Sequence, residues 1–514
     1  GRLMARRVDS ARPRAGLTRR ELLAGGGGGA AGLAALGALT AGARPAAAQG
    51  ERRPPNVVLI VADRLRSDYV GAYDDVFDDR DPDTPNIDAL AGESLRFRYA
   101  VPDGMPAIPM RRGLMTGMRS YPFRDWRATP GLPRIPGWNK IYDFQPLLPE
   151  LTAAHGIETV WVTDNPTLAG PRFRFVRRTL DPLPRSRDFE PTERDYLLPL
   201  GGPVRRRRQE PTTRVLRAGI ALLRELRRRQ PFFLALDAFD PVDAFTKPRQ
   251  YIAGRGPVHD DMNVVTRYDY LDQIHVDADG DVVAEVRDRY RAEVKQVDGW
   301  VGRFLDALDG AGLADDTVVV FVGDSGIALG EQALFGQPSG VWHRRVYHVP
   351  LLIRDPDRRW AGDTSSWFVS THDIPPTLLA YLGITAPGRM SGEDLTTLMD
   401  HYDLPPRPYF TTAIDTHVVV GDRRFLLVGR TDQDRWRLYE AEDEDKPDEI
   451  RNETVKSPTV LEQLRRYALA AAGGTLPEFD EQSAVRPRQP NDLDKDVADD
   501  GTLDEDEREA NELR

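Results

Sequence analysis

Two aspartates stand where a buried strand gives way to a loop, and they are the first candidates for chemistry. Asp63 ends an apolar run that begins at Asn56, and Asp324 ends a second such run. In folds that alternate strands with helices, ligands bind beyond the carboxyl ends of the strands, so both carboxylates are candidates for a metal or other functional site. The alternative is a structural ion pair in which Arg64 or Arg111 neutralises them.

Adjacent arginines and one serine supply further candidates. Arg111 and Arg112 have the chemistry to hold an anion, because a guanidinium group binds sulfate or phosphate through two parallel hydrogen bonds. The alternative for Arg111 is a buried salt bridge. A triad of Ser325, His372 and Asp373 rests on residue types alone, since triads are defined by geometry rather than by spacing.

The elements that must position these residues follow from the apolar pattern. Continuous apolar runs predict strands buried on both faces, at residues 57–61, 159–162, 232–236, 317–322 and 349–353. Helical patterns lie between them, at residues 147–155, 215–226, 290–308 and 376–382. The alternation predicts an α/β fold with a mostly parallel central sheet flanked by helices.

The pattern changes after about residue 410. Two apolar segments flank the turn Gly421-Asp422 and predict an antiparallel hairpin. The predicted elements are strands at residues 417–420, 425–428 and 436–439 and a helix from 457 to about 472. We therefore expect an α/β domain over residues 51–410 and a small C-terminal α+β subdomain over residues 411–475.

Both ends of the chain differ in composition from the part that is predicted to fold. In residues 1–50 the pair Arg19-Arg20 precedes an uncharged run and then Ala46-Ala47-Ala48, which predicts a twin-arginine-type signal segment. Export to the periplasm, the cell surface or the medium is the expectation, and a Gly/Ala linker or an uncleaved anchor is the alternative. Residues 476–514 are polar and increasingly acidic, which predicts a disordered tail.

Composition excludes several classes of function. The 514 residues carry a formal net charge of −11, which argues against nonspecific binding to nucleic acid. They contain no cysteine, which excludes disulfides, iron–sulfur clusters, zinc–thiolate sites and thiol nucleophiles. Beyond the first fifty residues no stretch approaches the roughly 20 apolar residues that a membrane span needs.

Several motifs together resemble the sulfatase family of the alkaline-phosphatase-like superfamily. The resemblance covers about residues 54–470, and each motif is weak alone. The motifs are Pro55 to Asp63, Thr84 to Leu90, Pro109 to Gly117, Gly323 to Gly326 with Leu329-Gly330-Glu331, Asp373 to Leu379, and Arg437 to Glu440. Their order along the chain matches the family, and the resemblance implies the family's α/β fold.

The resemblance also implies a nucleophile that this chain lacks. Active sulfatases hydrolyse sulfate esters with a formylglycine, made from the Cys or Ser that opens a C/S-x-P-x-R signature. Here the signature aligns on Ala107 through Arg111, with Thr116-Gly117 following as expected. Ala107 therefore stands at the nucleophile position, no formylglycine can form there, and a methyl group cannot attack sulfur or phosphorus.

The cation implied by the resemblance is equally in question. The family holds one Ca²⁺ or Mg²⁺ with an Asp-Asp pair, the nucleophile, and an Asp-Asn or Asp-His pair. Asp63 and Asp324 remain as candidate metal ligands, but Arg64 and Ser325 stand at the two other ligand positions. Calcium requires six to eight oxygen ligands, so we expect doubtful occupancy.

The family's acid–base and sulfate-contacting histidines are also missing from their segments, which read Ala238 to Asp243 and Asp164-Asn165-Pro166. What remains for an anion is Arg111, Arg112 and His343. Both His343 and His348 lie where the family often has a basic residue that contacts sulfate.

Two functions from different classes follow from these observations. The first is an exported sulfatase-family protein, ancestrally a sulfate-ester hydrolase, that is catalytically impaired and binds an anion or a partner at the old cleft. The second is an active hydrolase of sulfuric or phosphoric esters, or a transferase, with a rearranged metal site. The first is favoured because the nucleophile, two ligands and the histidines are lost together. In either case the expected ligand is anionic, such as a sulfated or phosphorylated small molecule.

Overall fold

The structure of the chain is a computed structural model. It describes residues 53–74, 82–128, 135–139, 141–163, 211–238, 274–275, 280–331, 334–336, 344–400, 407–431, 433–440 and 457–479. The predicted signal segment, residues 480–514 of the predicted tail, and His343 lie outside these ranges. Residues 54–514 form one unit, whose described part follows.

A seven-stranded sheet organises the α/β domain, with strands numbered along the chain. Its members are β1 (Asn56–Ala62), β2 (Leu95–Ala100), β3 (Glu158–Thr163), β4 (Phe232–Ala238), β6 (Thr317–Gly323), β9 (Leu351–Arg354) and β10 (Thr364–Val369). The spatial order is β10-β2-β9-β6-β1-β4-β3. All neighbours are parallel except β9, which runs antiparallel to β2 and β6. The predicted mostly parallel sheet is confirmed.

Helices cover both faces of this sheet, which explains why its central strands are mostly apolar. One face packs against α1 (Pro85–Gly92), α4 (Pro211–Leu226) and α5 (Gly280–Gly310). The opposite face packs against α2 (Ala107–Thr116), α3 (Leu148–Ala154), α7 (Ile374–Tyr381) and α8 (Leu395–Asp400). Every residue of β1, β4 and β6 is buried. The layered arrangement is the one that strand–helix alternation predicts.

Strands β2 and β10 and helix α2 are among the elements that the apolar pattern did not predict. Strand β2 carries arginines at alternate positions, and much of β10 is exposed, so neither shows a continuous apolar run. Helix α2 contains Pro109 and Gly113, which disfavour a helix in a single-sequence interpretation. Tertiary packing overrides that propensity, since all ten residues of α2 are buried.

A second sheet forms the C-terminal subdomain. Its strands are β11 (Phe410–Ile414), β12 (His417–Gly421), β13 (Phe425–Arg430) and β14 (Gln433–Glu440), antiparallel and in that spatial order. Helix α9 (Pro458–Ala471) packs on it through Leu464 and Ala468. The predicted hairpin, third strand and helix are confirmed, and β11 adds a fourth strand that the sequence interpretation missed.

Smaller elements complete the described chain. A short sheet consists of β5 (Ile274–His275), β7 (Ala328–Leu329) and β8 (Leu334–Gly336), and one turn of helix, α6, spans Arg344–Tyr347. Phe479 packs edge-on against Trp126, with ring centroids 5.8 Å apart, so the folded part extends past residue 476, where we predicted the tail to begin. Among the described residues, no helix is long and apolar enough to span a membrane.

Candidate functional site

Three aspartates meet at one face of the sheet because of strand register. Asp63 follows β1 directly and Asp324 follows β6, and the amide of Asp324 donates to the carbonyl of Ala62 (3.0 Å). Asp237 lies within β4 opposite Val61, two residues before Asp63. Side chains alternate between the faces of a sheet, so Asp63, Asp237 and Asp324 lie on the same face.

Helix α2 covers that face and brings Arg111 onto the three carboxylates. Met110, Leu114 and Met115 anchor the helix in the apolar core. Ala107 begins the helix and is 3% exposed, and its carbonyl accepts a 3.4 Å hydrogen bond from Nη1 of Arg111, one turn later. The helix ends at Gly117, whose φ of 63° lies in the left-handed region that glycine accepts without strain.

The guanidinium of Arg111 binds all three aspartates. Its Nη1 donates to Asp63 Oδ1 at 3.0 Å and to Asp324 Oδ2 at 2.5 Å. Its Nε donates to Asp237 Oδ1 at 2.8 Å. Arg111, Asp237 and Asp324 are fully buried, and Asp63 is 1% exposed. This is the ion pair that stood as the alternative to a metal site.

The remaining carboxylate oxygens of the cluster also face donors or cations. Asp324 Oδ1 accepts from the amide of Arg64 (2.5 Å) and from Ser325 Oγ (3.0 Å). Asp237 Oδ2 accepts from Thr163 Oγ1 at 3.4 Å. Asp63 Oδ2 lies 3.7 Å from Nε of Arg64. All six oxygens of the three carboxyl groups are therefore engaged within the protein.

Burial and mutual proximity shift the pKa values of these groups in different directions. Burial, reinforced by Asp324, raises the pKa of Asp63 well above 3.8. Burial also opposes ionisation of Asp324, but Arg111 and a hydrogen bond from Asp63 lower its pKa. Burial raises the pKa of Asp237, an effect that Arg111 opposes. Despite burial, the three carboxylates raise the pKa of Arg111, which stays charged.

Arg64 adopts an unusual backbone conformation beside the cluster. Its φ of 51° is in the left-handed region, where a residue with a Cβ is strained. The hydroxyl of Tyr290 holds this turn, because it donates to the Arg64 carbonyl at 2.6 Å and accepts from the Arg66 amide at 2.9 Å. The Arg64 side chain is 11% exposed, which makes it the least buried of the charged side chains in the cluster.

The other predicted anion-binding residues have different surroundings. Arg112 makes two 2.8 Å hydrogen bonds to the carboxylate of Asp125 and one to Asn139. An external anion would have to displace these partners, as it would those of Arg111. His343 lies outside the described residues. The anion-binding role of all three residues stays a prediction.

The residues of the conceivable triad have separate partners. Ser325 donates to Asp324, which belongs to the carboxylate cluster. His372 lies between two carboxylates, with Nδ1 3.4 Å from Asp103 and Nε2 3.8 Å from Asp373. Both ring nitrogens thus face carboxylates, and the geometry offers no support for His372 as a base for Ser325.

Comparison with known proteins decides the family. A sequence model of the sulfatase family matches residues 55–384, which is more than half of the chain. The chain belongs to the sulfatase family. The resemblance drawn from the motifs is thereby confirmed, and the described fold agrees with it.

The related proteins have low sequence identity to this chain, but the alignments cover most of its length. The multifunctional alkaline phosphatase superfamily protein PehA of Trinickia caryophylli is 25% identical over 399 residues, 66% of this chain and 76% of that protein. The arylsulfatase of Clostridium perfringens is 23% identical over 434 residues, 76% of this chain and 87% of the arylsulfatase. A solved structure in complex with its substrate D-glucosamine-2-N,6-O-disulfate superposes with a TM-score of 0.63 at 16% identity, covering 82% of this chain and 98% of that one. The structural likeness shows the fold alone.

The residues of this buried cluster do not fit the cation of the sulfatase family. Nη1 of Arg111 lies between Asp63 and Asp324, the two carboxylates that remain from the family's ligand set. Arg64 at the second ligand position adds a positive charge, which opposes a cation. Within the part of the chain that the structure describes, no group of three or more His, Cys, Asp or Glu side chains is arranged to hold a metal.

Asp237 is the member of this sulfatase cleft that the sequence interpretation missed. It follows the apolar run of residues 232–236 directly, in the same way that Asp63 and Asp324 follow theirs. The rule that selected those two aspartates therefore selects Asp237 as well. It is fully buried and binds Nε of Arg111.

Proposed function

We propose that this sulfatase-family chain has lost covalent hydrolysis of sulfate esters and binds an anionic ligand at the cleft around Ala107. The observation that carries the proposal is the methyl group of Ala107 at the start of α2, where the family's signature has its nucleophile. That side chain cannot attack sulfur, and it cannot be oxidised to an aldehyde that hydrates. The chain contains no cysteine that could take over the role.

Two features of the cleft support anion binding. The first turn of α2 has no side-chain cap, so the backbone amides of Ala107 and Ile108 and the positive end of the helix dipole favour an anion there. Arg64 adds a guanidinium group whose side chain is 11% exposed. A sulfated or phosphorylated small molecule matches this combination, because its oxyanion accepts hydrogen bonds from amides and guanidinium alike.

The alternative is an active hydrolase of sulfuric or phosphoric esters, or a transferase, with a rearranged site. The convergence of Asp63 and Asp324 at the carboxyl edge of the sheet favours it, because a carboxylate can activate a water molecule. Both carboxylates, however, bind Arg111 and each contacts a group of Arg64. A general base needs an oxygen within reach of the attacking water, and these oxygens are engaged.

Ligand binding at the cleft is tested by calorimetry on the chain from residue 51. We expect D-glucosamine-2-N,6-O-disulfate to bind, and Arg64→Gln to weaken binding roughly tenfold or more, as loss of one charge-assisted hydrogen bond does. Arg217→Ala is the matched control, because Arg217 is exposed on α4 at the opposite face of the sheet. Equal affinities of the parent and Arg64→Gln, or no binding at all, would refute a cleft site for anions.

Export through the twin-arginine route is a separate proposal. Its support is the order of the basic pair, the uncharged run and the alanines in residues 1–50. A reporter fused to these residues should leave the cytoplasm, and it should stay there when both Arg19 and Arg20 are replaced by Lys. Retention of the unmodified fusion in the cytoplasm would contradict the proposal.

A further inference from the structure

We propose that Arg111 is the built-in cation of this cleft, and that Asp63, Asp237 and Asp324 hold its guanidinium where sulfatases hold a divalent ion. The proposal deepens the proposed function, on which it rests for the choice of cleft. It names Arg111 as the residue that replaces the ion, and Asp237 as a third carboxylate that binds this arginine. It also predicts that the folded protein is indifferent to divalent cations.

The geometry gives Arg111 the position and contacts of a bound cation. A single nitrogen, Nη1, joins Asp63 and Asp324, at 3.0 and 2.5 Å. The planar guanidinium presents a second donor, Nε, in a different direction, and Asp237 accepts it at 2.8 Å. A fork of several donors can bind three separate carboxyl groups at once, which the compact ammonium of lysine does less well.

Asp237 is matched to the arginine. Its Oδ1 binds Nε of Arg111, and its Oδ2 accepts from Thr163, so its strongest partner is Arg111. A fully buried carboxylate near the end of an apolar strand is costly unless a cation neutralises it. Arg111 and Asp237 therefore form a unit in which the charge of each residue offsets the cost of burying the other.

Removing the guanidinium of Arg111 leaves the three buried carboxyl groups without the cation that neutralises them. Arg111→Gln leaves three acidic side chains in the buried site, with Arg64 as the nearest remaining cation. Oxygen ligands of this kind are those that Ca²⁺ and Mg²⁺ prefer, once the carboxylates can close on an ion. The variant should therefore be destabilised in the absence of divalent ions and regain stability when they are added.

The experiment compares melting temperatures of the full chain and its variants in chelator and in millimolar Ca²⁺ or Mg²⁺. We expect the parent protein to melt at the same temperature in both. Arg111→Gln should melt several degrees lower in chelator and recover with the ions. Arg111→Lys keeps a positive charge and should show little response. Arg112→Gln is the matched control, because Arg112 is the next residue of α2 and binds Asp125 outside the cluster.

Two results would overturn the proposal. One is a parent protein that Ca²⁺ or Mg²⁺ stabilises, with the effect abolished by Asp324→Asn. The other is an Arg111→Gln variant that melts in chelator at the temperature of the parent. Neither readout involves turnover or ligand binding, so failure here is distinguishable from failure of the proposed function.

A double-mutant cycle keeps the proposal testable if Arg111→Gln does not fold. We expect Asp237→Asn to lower the melting temperature of the parent protein. In the combination Arg111→Gln with Asp237→Asn, one buried charge of each sign is gone, so soluble protein should be recovered. Equal losses from Asp237→Asn with and without Arg111, or no recovery in the double variant, would contradict the proposed unit.

Discussion

At the scale of single residues, His348 links the loop after β1 to the sheet. Its Nδ1 lies 3.1 Å from Ser67 Oγ, and its Nε2 contacts the carbonyl oxygen of Arg98. The ring is 1% exposed. Burial, helped by the nearby charge of Arg344, lowers the pKa of His348 from 6.5 to about 3. The imidazole is therefore neutral in the folded protein at pH values where the unfolded chain binds a proton.

This difference predicts acid sensitivity that one substitution removes. Between pH 6.5 and about 3 the unfolded chain holds one more proton at His348, so stability falls as the pH is lowered through that window. The contribution is about 1.4 kcal/mol per pH unit. His348→Gln should flatten the dependence of the unfolding free energy on pH by that slope, as measured by urea denaturation at pH values inside the window.

His155 provides the control for this prediction. His155→Gln is the matched substitution, because His155 is exposed directly after α3. Other acidic groups titrate in the same window, and the comparison between variants cancels them. An unchanged slope in His348→Gln would show that the buried ring takes up its proton without cost.

The aspartates of the site could be predicted from the sequence, because they lie at strand ends. Their arginine partner could not be predicted, because it depends on tertiary packing. Asp63 and Asp324 were selected because each follows a buried strand, and the same rule reaches Asp237. No rule of spacing chooses between Arg64 and Arg111 as their partner. The choice depends on how α2 lies on the sheet, and only the packing of Met110 and Leu114 fixes that.

At the scale of elements, the loop after β6 must pass close to α6. The Cα of Gly326 faces the backbone of this short helix, and a Cβ added there would lie 1.9 Å from the carbonyl oxygen of Arg345. The amide of Gly326 also donates to the Val346 carbonyl at 2.7 Å. The loop that begins at Asp324 is thus fastened to α6 two residues later.

Substitution at this contact should loosen the loop and destabilise the protein. Gly326→Ala forces backbone against backbone, and we expect a loss of about 1–3 kcal/mol in the free energy of unfolding. Gly299→Ala is the control, because Gly299 lies within α5 with no atom within 4 Å of its added Cβ. That control should gain roughly 0.5–1 kcal/mol through helix propensity. Urea denaturation of both variants checks the pair, and a neutral Gly326→Ala would contradict the close contact.

The strands that are most completely buried were the easiest to predict from the sequence. The central strands β1, β4 and β6 are buried along their full length, and their apolar runs mark them in the sequence. Only two of the six residues of the edge strand β10 are buried, so its hydrogen bonds to β2 rather than its composition make it a strand. Helix α2, the element that carries Ala107 and Arg111, contains Pro109 and Gly113, and tertiary packing rather than helix propensity stabilises it.

At the scale of the whole molecule, the family fold surrounds a site that we propose to be altered. Both sheets and the helices that cover them agree with the sulfatase assignment, while Ala107, Arg64 and Ser325 depart from the family's signature in separate segments. The fold depends on apolar runs distributed along the chain, so changes at a few strand ends leave it intact. Family membership was therefore predictable from order and pattern, whereas activity depends on those few positions.

The central claim is that this sulfatase-family chain no longer hydrolyses its ligands, and release of inorganic sulfate tests it most directly. Purified chain from residue 51 is incubated at high concentration with 4-nitrophenyl sulfate and with D-glucosamine-2-N,6-O-disulfate, and free sulfate is measured by ion chromatography. The account predicts no release above that of the Asp324→Ala variant. Sulfate release by the parent that Asp324→Ala abolishes would contradict the account and establish an active hydrolase.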